Sequence, residues 1–424
     1  MKGTKRIDPF GHGVLSHLKA AHLMMKIGII REEKNPPDSR VPLTPQQCAQ
    51  IRQTQNIDLV VEPSPNRCYQ DEEYQKAGVP LQEDLSDRNI LLGVKEVPIK
   101  KLLSNKDYFF FSHTIKKQAY NRKLLLAILE KHIRLLDYEV LTNEKGQRLI
   151  AFGRFAGMVG AHNGLMTYGK RTGAFDLQRM KDCYDYAEAK QIYQNMTWPT
   201  LRIVLTGMGR VASGAAMVLK DMGIRQVTPE AYLAQDYSEA IFTQLDCKDY
   251  ARHKGGQAFD LQHFFQHPGE YQSIFAPYAQ KSDIMINGIY WDNQAPAFFS
   301  LAEMQSPGFN LQVIADVTCD IAPVSSIPST LRASTIANPI FGFDPNTGQE
   351  CPPFQPHSVD MMTVDNLPNE LPRDASAAFG EQFISQILPA LMGKDESGIL
   401  QRATIAQGGH LGPHFTYLQD YVDG

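Results

Sequence analysis

From residue 25 onward the sequence alternates short apolar runs with stretches of helical spacing, and this alternation restricts the fold more than any other feature. Such runs suit strands that are buried on both faces, and the intervening stretches LTPQQCAQIRQTQ (43–55) and KKQAYNRKLLLAILEK (116–131) suit crossover helices. Repeated alternation of this kind predicts a parallel α/β sheet, because parallel strands need crossover connections. The predicted strands are MKIGII (25–30), IDLVVE (57–62), NILLGV (89–94), DYFFFS (107–112) and HIRLLDYE (132–139).

A second strand–helix pattern begins at residue 201, so the chain divides into two units. The 424 residues also exceed what one ordinary hydrophobic core accommodates. We therefore predict an α/β fold of two Rossmann-like domains, with parallel sheets and an active-site cleft between them. The basic first 24 residues suit either an organellar transit peptide or an unstructured extension, and we favour the extension. The expected divisions are a disordered extension (1–24), a substrate domain (25–155 plus about 350–424) and a dinucleotide-binding domain (about 156–349).

The segments around and within the second unit complete this outline. Residues 151–175 are rich in glycine and small side chains yet apolar, which favours close helix packing at the domain junction. Further strands are expected at DIMINGIY (283–290) and QVIADVT (312–318), and a helix at 375–393. The polar, turn-rich segment 234–270 is interpreted as a long insertion without assignable chemistry.

The composition excludes several classes of function. The formal net charge is −4 and no Lys/Arg stripe runs between aromatic residues, so nucleic acid is not an expected partner. No apolar run approaches the ~18 residues that cross a bilayer, so no membrane association is expected. Six cysteines, scattered without CxxC pairs or neighbouring histidines, indicate neither a zinc site nor a disulfide scaffold. We expect a cytoplasmic protein without bound metal that acts on small molecules as a monomer or small homo-oligomer.

A glycine turn follows the first strand of the second unit, in the string IVLTGMGRVASGA (203–215). Gly207 permits the tight turn, Gly209 lets the backbone approach a pyrophosphate, and Ala212 takes the helix-packing position. The N-terminus of the following helix offers free N–H groups and a positive dipole to phosphate. Because the motif stands between a strand and a helix, it predicts a dinucleotide site in preference to a simple tight turn.

The choice between NAD and NADP depends on the side chains that meet the adenosine ribose. An acidic residue is expected ~20 residues after the motif, and the short strand RQVTPE (225–230) offers only Glu230. Arg210 and Arg225 are cations that could instead meet a 2′-phosphate. The sequence leaves both coenzymes open and slightly favours NADP(H).

Ionisable residues recur at the carboxyl ends of the strands predicted in the first unit. Each of them alone is more often a solvated turn residue or a structural one. Ligands of open α/β sheets bind at this edge, however, so the recurrence favours an active site there. The group comprises Arg40, Lys95, Glu96, His113, Lys116, Glu139 and Arg148, with Phe152 close by in the sequence.

These residues lie in stretches that resemble the lysine-forming saccharopine dehydrogenases, and in particular the lysine–ketoglutarate reductase part of the bifunctional aminoadipic semialdehyde synthases. The resemblance runs in order through nearly everything from Met25 to about residue 390. Alanine dehydrogenase is a more distant likeness that shares the RxxLTP start. The matching stretches are DSRVPLTP (38–45), AGVPLQEDLSDRNILLGVKEVP (77–98), FFSHTIKKQ (110–118), IRLLDYE (133–139), RLIAFGRFAG (148–157), INGIYW (286–291) and DNLPNELPRDAS (365–376).

The resemblance implies a role for each residue of the group. Lys95 and His113 match the pair regarded as acid–base catalysts, and Arg40 and Arg148 match arginines that hold substrate carboxylates. Asp320 matches an aspartate near the nicotinamide, although the loop that follows it, in DVTCDIAPVSSI (316–327), departs from the family pattern. Glu96, Lys116, Glu139 and Phe152 are expected to line the substrate site, and Val211, Ile289 and Tyr290 to line the cofactor site.

The implied reaction is the reductive condensation of L-lysine with 2-oxoglutarate to saccharopine, or its reverse, with NAD(P)H. Such a reaction needs an acid and a base with pKa values near the working pH, which an imidazole and a buried lysine supply. Lys116 is a like charge that could lower the pKa of Lys95. One alternative is another amino-acid dehydrogenase, such as one acting on alanine. A non-catalytic nucleotide-binding protein is a second alternative, which the presence of both Lys95 and His113 disfavours.

Overall fold

The computed structural model describes residues 24–55 and 57–424. Apart from Met24, the extension predicted to be disordered lies outside the described residues. The predicted fold class is confirmed, since the described residues form one seven-stranded and one eight-stranded sheet, with a separate two-stranded sheet. Each large sheet is parallel over most of its width and ends in antiparallel strands at one edge.

The first sheet contains the five predicted strands in the parallel order β2-β1-β3-β4-β5. Alternate residues face opposite sides: Phe109 and Leu136 join one hydrophobic cluster, whereas Tyr108 and Leu135 join another. Each strand is shorter than its apolar run, so the residues at the carboxyl ends leave the sheet and turn toward the cleft. The strands are β1 (Met25–Ile29), β2 (Ile57–Val61), β3 (Ile90–Leu92), β4 (Asp107–Phe110) and β5 (Arg134–Asp137).

Three helices accompany these strands: α1 (Pro45–Thr54), α2 (Asp71–Lys76) and α3 (Arg122–Glu130). The Thr-Pro start signal of α1 is confirmed as a capping box, in which Thr44 and Gln47 exchange side-chain-to-backbone hydrogen bonds of 3.3 and 2.9 Å. The helix predicted from Lys116 starts later, at Arg122, because Lys117 has a left-handed backbone (φ 51°) that interrupts it.

The second domain carries ten strands. In the eight-stranded sheet their order is β14-β13-β15-β12-β11-β6-β8-β7, and the remaining two pair as β10-β9. They are β6 (Arg202–Thr206), β7 (Arg225–Val227), β8 (Ile241–Leu245), β9 (Ala251–His253), β10 (Tyr271–Ser273), β11 (Ile284–Asn287), β12 (Val313–Asp316), β13 (Ile340–Asp344), β14 (Gln349–Cys351) and β15 (Val359–Met362).

The segment interpreted as a long insertion without assignable chemistry supplies a strand of this sheet, the second from its edge. β8, with the sequence IFTQL, pairs in parallel with β6 on one side and with β7 on the other. The strand RQVTPE, expected to lie beside the glycine-turn strand, is therefore displaced to the edge. Its sequence is short and its first two residues are exposed, as suits an edge position.

The helices of the second domain cover both faces of its sheet. The longest, α4, joins the two domains. The set is α4 (Gly153–Thr172), α5 (Tyr186–Gln194), α6 (Arg210–Asp221), α7 (Pro229–Ala234), α8 (Cys247–Tyr250), α9 (Leu261–Gln266), α10 (Ala276–Lys281) and α11 (Leu301–Met304).

The backbones of α4 and α6 touch where they cross, as the glycine-rich sequence of α4 predicts. A Cβ atom added to Gly157 would lie 1.7 Å from the carbonyl oxygen of Val211, and one added to Gly214 would lie 2.0 Å from that of Arg154. Only glycine permits this approach at these two positions. The contact fixes the glycine turn, which opens α6, against the helix that leads out of the first domain.

The chain returns to the first domain later than expected. Because β14 and β15 pair within the second sheet, the return follows residue 371 rather than about 350. The returning elements are α12 (Pro372–Gln382), α13 (Leu388–Met392), α14 (Ile399–Ala403), β16 (Thr404–Gln407), β17 (His410–Leu411) and α15 (Gln419–Asp423). The strand β16 extends the first sheet by antiparallel pairing with β5.

Within the described residues, none of the helices has the length and apolar character to cross a membrane.

Replacing Gly157 with alanine is expected to lower the free energy of unfolding by about 3 kcal/mol or more, because the helices must move apart to admit the methyl group. Gly153→Ala, on the same helix, is the matched control, since its Cβ would lie 3.5 Å from the nearest atom of Val211 and cost little. Urea unfolding of both variants measures the difference. Equal stability of the two variants would contradict the close helix contact.

Candidate active site

The carboxyl ends of β3, β4 and β5 lie side by side, and the ionisable residues that follow them come together there. Nδ1 of His113 lies 3.4 Å from Oε2 of Glu139, and Nε2 of His113 lies 3.9 Å from Oε1 of Glu96. The imidazole ring is thus held between two carboxylates that come from the neighbouring strands. This arrangement places a proton-transferring group at the sheet edge where ligands of such folds bind.

The turn after β4 aims the His113 ring. Its backbone is left-handed (φ 54°, ψ 12°), a conformation uncommon outside glycine, and the ring lies 6.4 Å from that of Phe111 with nearly parallel planes. The buried carboxylate of Asp137 anchors the turn by accepting hydrogen bonds from the backbone N–H and hydroxyl of Ser112 (2.8 and 2.6 Å). Burial nonetheless raises the pKa of Asp137.

Glu139 is held as an anion. The hydrogen bond with His113 lowers the pKa of Glu139 to about 2, and the positive charges of Lys116 and Arg148 act in the same direction. Nζ of Lys116 lies 3.5 Å from the Glu139 carboxylate and the side chain is half-exposed at the rim of the site.

Glu96 has one satisfied and one free carboxylate oxygen. Oε2 accepts a 2.7 Å hydrogen bond from Nζ of Lys34. Oε1 is buried and lacks a hydrogen-bond partner among the described residues, and it faces His113. A buried acceptor without a partner is costly, so this atom is suited to a proton donor supplied by a ligand.

The ammonium group of Lys95 sits in surroundings that disfavour its charge. Burial lowers the pKa of Lys95 first, and the positive charges of Arg40 and Lys34 lower it further, against the attraction of Asp38 and Glu96. The pKa of Lys95 is thus lowered, as a base in this reaction would need, but the nearby like charges are Arg40 and Lys34. Lys116, which was expected to contribute, is paired with Glu139 instead. Lys95 therefore gives up its proton more readily than an exposed lysine does.

Arg40 is almost completely buried, and its guanidinium is already bonded to protein groups. Nε and Nη2 donate to the two oxygens of Asp38 (2.9 and 2.5 Å), and Nη2 also donates to Asn366 at 2.9 Å. The guanidinium carbon lies 4.2 Å from the ring centre of Phe152. Although burial opposes ionisation, the Arg40 charge holds the pKa of Asp38 at about 2. A substrate carboxylate would meet at most the Nη1 face of this arginine.

Arg148 is more open to a ligand. Its Nε donates to the carbonyl oxygen of Ile150 at 3.0 Å, and the guanidinium carbon lies 5.4 Å from the ring centre of Phe111. Within the part of the chain that the structure describes, its two terminal nitrogens have no hydrogen-bond acceptor. Phe152, which stacks on Phe379 at 4.8 Å, forms the apolar wall beside it. A planar guanidinium with both terminal nitrogens open is suited to bind a carboxylate bidentately.

Three further residues of this site escaped sequence reasoning: Glu32, Asp38 and Asn366. The carboxylate of Glu32 accepts the backbone N–H groups of Val94 and Lys95 (2.6 and 2.9 Å) and so fixes the end of β3. Burial raises the pKa of Glu32 to about 8. Its position three residues beyond β1 was a signal of the same kind as those used for Lys95 and His113. Asn366 had no such signal, because it comes from the second domain.

The glycine turn fits a dinucleotide phosphate. Gly207 has φ +99°, and an added Cβ would lie 2.7 Å from the carbonyl oxygen of Gly288, so no other residue suits the position. Gly209 faces open space, and helix α6 begins behind it without a side-chain cap, leaving its N–H groups free. Ala212 is buried against the sheet as expected. A Cβ added to Gly288 would lie 3.1 Å from the Val211 side chain.

One hydrogen bond joins this turn to the site in the first domain. Nη2 of Arg210 donates to the carbonyl oxygen of Arg148 at 2.7 Å. The glycine turn and the carboxyl edge of the first sheet therefore face the same cleft. Arg210 is directed to the domain junction, and Arg225 lies at the amino end of β7, opposite the glycine turn, where it pairs with Glu239 at 2.7 Å.

The other expected cofactor residues lie around the carboxyl ends of the second sheet. The carbonyl oxygen of Ile289 accepts a 3.1 Å hydrogen bond from the hydroxyl of Thr318, and Tyr290 next to it is 90% exposed. Asp320 is half-buried, which raises its pKa. Glu230 is fully exposed at the start of α7, beyond the edge strand β7.

Among the described residues, one group has the residue types of a metal site: His253, His263 and Glu270, whose ligand atoms lie within 4.8 Å of one another. Nδ1 of His253 accepts the N–H of Gly255 at 2.9 Å, so in the neutral ring Nε2 carries the proton and faces Glu270 at 3.3 Å. A metal needs a lone pair at that nitrogen. These hydrogen bonds favour a histidine–carboxylate contact, and the absence of a metal stays a prediction.

Residues 28–159 match the family described as "Alanine dehydrogenase/PNT, N-terminal domain". Over most of its length the chain is also similar to two kinds of characterised enzyme. It is 30% identical to the alpha-aminoadipic semialdehyde synthase of Arabidopsis thaliana, covering 93% of this chain and 41% of that protein. It is 28% identical to the mitochondrial enzyme of that name from Mus musculus, covering 95% and 48%. The chain thus spans about half the length of these relatives.

The second kind of relative has nearly the same length as this chain. The saccharopine dehydrogenase (NAD(+), L-lysine-forming) of Emericella nidulans is 27% identical, covering 85% of this chain and 90% of that protein. Among solved structures, an L-alanine dehydrogenase shares the fold with a TM-score of 0.62 at 15% identity, covering 94% and 99% of the two chains. A transhydrogenase from Sinorhizobium meliloti gives a TM-score of 0.55 at 14% identity, covering 91% and 98%.

Replacing Glu32 with glutamine is expected to change how stability depends on pH. The folded-state pKa of Glu32, about 8, lies above its ordinary value of 4.5. In wild type, protonated Glu32 therefore makes its full contribution to the free energy of unfolding below pH 4.5, and this contribution is lost as the pH rises through 8. Glutamine does not ionise. The stability of the variant relative to wild type should therefore rise by on the order of 3 kcal/mol between pH 5 and 9.

Thermal or urea unfolding of both proteins across this pH range measures the effect. Because glutamine offers one acceptor where the carboxylate offers two, a constant offset between the proteins is expected and does not bear on the test. A stability difference that stays flat from pH 5 to 9 would contradict a buried, protonated Glu32.

Proposed function

Since the chain belongs with the lysine-forming saccharopine dehydrogenases and the aminoadipic semialdehyde synthases, to which it is homologous over most of its length, we propose that it is an oxidoreductase of lysine metabolism. Its reaction joins L-lysine, 2-oxoglutarate, NAD(P)H and a proton to give saccharopine, water and NAD(P)⁺, or runs in reverse. The observation that carries this proposal is the approach of His113 to the unpaired oxygen of Glu96, which follows Lys95 in the chain, in a cleft that the glycine turn also faces.

Lys95 is the base in this proposal. The ε-amine of lysine must lose a proton before it attacks the ketone carbon of the 2-oxo acid. Lys95 has the lowered pKa that such a base needs, and the charge of Arg40 helps to keep it low. Glu96 Oε1, buried and facing His113, accepts a hydrogen bond from the incoming ammonium group and orients it.

His113 transfers protons to and from the reacting oxygen. Loss of water from the addition product requires a proton on the departing hydroxyl, and an imidazole held between the carboxylates of Glu96 and Glu139 supplies it. NAD(P)H, when bound, supplies the hydride that reduces the resulting imine. The left-handed turn at His113 fixes the ring for this step.

The 2-oxo acid is a dicarboxylate and needs two cations. Arg148 has both terminal nitrogens open and binds one carboxylate bidentately, and Lys116 at the rim of the site meets the other. Arg40 is saturated by Asp38 and Asn366, so we assign it to positioning these groups and to lowering the pKa of Lys95. Of the remaining residues of the group, Glu139 holds His113 in place and Phe152 forms an apolar wall of the site.

The test is an initial-rate assay that crosses lysine or ammonia with 2-oxoglutarate or pyruvate, in the presence of NADH or NADPH. We expect oxidation of the coenzyme that requires lysine and 2-oxoglutarate together. Oxidation with ammonia and pyruvate alone would instead identify an alanine dehydrogenase and overturn the proposal.

In this assay His113→Gln and Lys95→Met are each expected to lower kcat by about 10²–10⁴-fold, the range typical for loss of a general acid or base. Coenzyme binding should persist in both variants, because neither residue touches the glycine turn. Lys117→Met is the matched control, since Lys117 pairs with Asp420 at 2.7 Å outside the site. Unchanged turnover in the His113 or Lys95 variant would remove that residue from the mechanism.

A further inference from the structure

We propose that Asp246 binds the hydroxyls of the adenosine ribose, that the aromatic pocket beyond it takes the adenine ring, and that the chain consequently prefers NAD(H) to NADP(H). The inference rests on the proposed function only in requiring a nicotinamide dinucleotide. It reverses the slight preference for NADP(H) expected from the sequence, where Glu230 was the candidate acid.

The strand order carries the argument. In Rossmann folds an acid at the end of the strand beside the glycine-turn strand meets the ribose. Here that neighbour is β8, with Thr206 opposite Leu245 in the register, and not β7. The N–H of Gly207 donates to the carbonyl oxygen of Leu245 at 2.9 Å, and the side chain of Gln244 donates to the carbonyl oxygen of Gly207 at 2.9 Å. Asp246 is the next residue, directly beside the glycine turn.

Glu230 lies too far along the same edge for this role. It follows β7, which is two strand spacings from β6, or roughly 10 Å in the plane of the sheet. Its side chain is fully exposed at the start of α7. The spacing of ~20 residues that pointed to Glu230 assumes that the second strand in sequence lies beside the first. In this chain the second and third strands have exchanged places.

The local structure holds the Asp246 carboxylate in place and leaves it capacity for a ligand. Asp246 caps α8: its Oδ1 accepts the N–H of Cys247 at 2.7 Å, and its own N–H donates to Asp249 at 2.8 Å. A carboxylate accepts about four hydrogen bonds, so the cap uses only part of its capacity. Two ribose hydroxyls can use the rest.

The same carboxylate opposes a 2′-phosphate. A phosphate monoester carries a charge of about −1.5 to −2 near neutral pH and would be placed against a fixed negative charge. The cations expected to offset it are engaged elsewhere, since Arg210 donates to Arg148 and Arg225 pairs with Glu239 at the opposite edge. Lys248, on α8, lies near the carboxylates of Glu230 and Asp249.

A cavity of about 390 Å³ lies where the adenine ring is expected. The cavity begins at Ile289, which lies beside the glycine turn, since a Cβ atom added to Gly207 would lie 3.3 Å from the Ile289 Cα. It reaches Tyr250, the last residue of α8, the helix that Asp246 caps. Phe264, Phe265 and Trp291 supply further aromatic lining. Such a cavity is suited to a flat heteroaromatic ring.

Trp291, one of the residues that line the cavity, carries a polar ring nitrogen, Nε1. It is buried and has no acceptor in residues 24–55 or 57–424. A buried donor of this kind is expected to have a partner, and a ring nitrogen of the adenine is an acceptor that can supply it.

The test is direct binding of NADH and of NADPH, followed by nucleotide fluorescence or calorimetry without lysine or 2-oxoglutarate. Wild type is expected to bind NADH at least about tenfold more tightly than NADPH, as loss or gain of one charged hydrogen bond implies. Asp246→Ser keeps a residue that caps α8 and removes the charge. It should weaken NADH binding and strengthen NADPH binding, each by about tenfold.

Two matched variants separate this role from a general effect on the domain. Glu230→Gln should leave both affinities unchanged, and Trp291→Phe should weaken both nucleotides equally without altering their ratio. Asp246→Asn repeats the test should the serine variant fail to fold. Tighter NADPH than NADH binding by wild type, an unchanged ratio in the Asp246 variants, or a ratio altered by Glu230→Gln would overturn the proposal. Because no substrate is present, failure of lysine-dependent turnover alone leaves this result standing.

Discussion

The guanidinium of Arg40 is buried where the two domains meet, and groups from three separate parts of the chain surround it. It is bonded to Asp38 in the loop after β1 and to Asn366 in the segment that returns from the second domain, and it lies over Phe152 at the start of the connection to α4. A buried pair of this kind is worth most when every partner is present, because removing one leaves an uncompensated charge. The geometry of the cleft therefore depends on this one ion pair.

The same charge sets the protonation of its neighbours. It keeps Asp38 ionised against burial and disfavours the positive charge on Lys95, while Glu139 is kept ionised by a separate set of partners, His113, Lys116 and Arg148. Groups with pKa values displaced in opposite directions thus stand close together, a pattern that marks acid–base sites. The hydrogen bond from Arg210 to Arg148 brings the glycine turn to this group of residues, so both face one cleft.

Much of this arrangement follows from local sequence patterns. Apolar runs identified the strands of the first sheet, and the residues beyond their carboxyl ends, such as Lys95 and His113, met because parallel strands end at one edge. Pairing between distant strands leaves no comparable local signal. The strand β8 was hidden in a polar segment, and its place beside β6 made Asp246 the neighbour of the glycine turn. The bonding of Arg40 to Asn366, 326 residues away, was likewise invisible in the sequence.

The central claim is that this cleft joins the side-chain amine of lysine to the ketone carbon of 2-oxoglutarate. Mass spectrometry of the product formed from ε-¹⁵N-lysine, 2-oxoglutarate and reduced coenzyme tests it most directly. The account predicts a secondary amine in which the ¹⁵N atom is bonded to both the lysine side chain and C2 of the glutaryl group. With α-¹⁵N-lysine it predicts a product of the same mass that carries the label at the α position. Release of the ¹⁵N label as ammonia or its appearance in free glutamate would contradict the account.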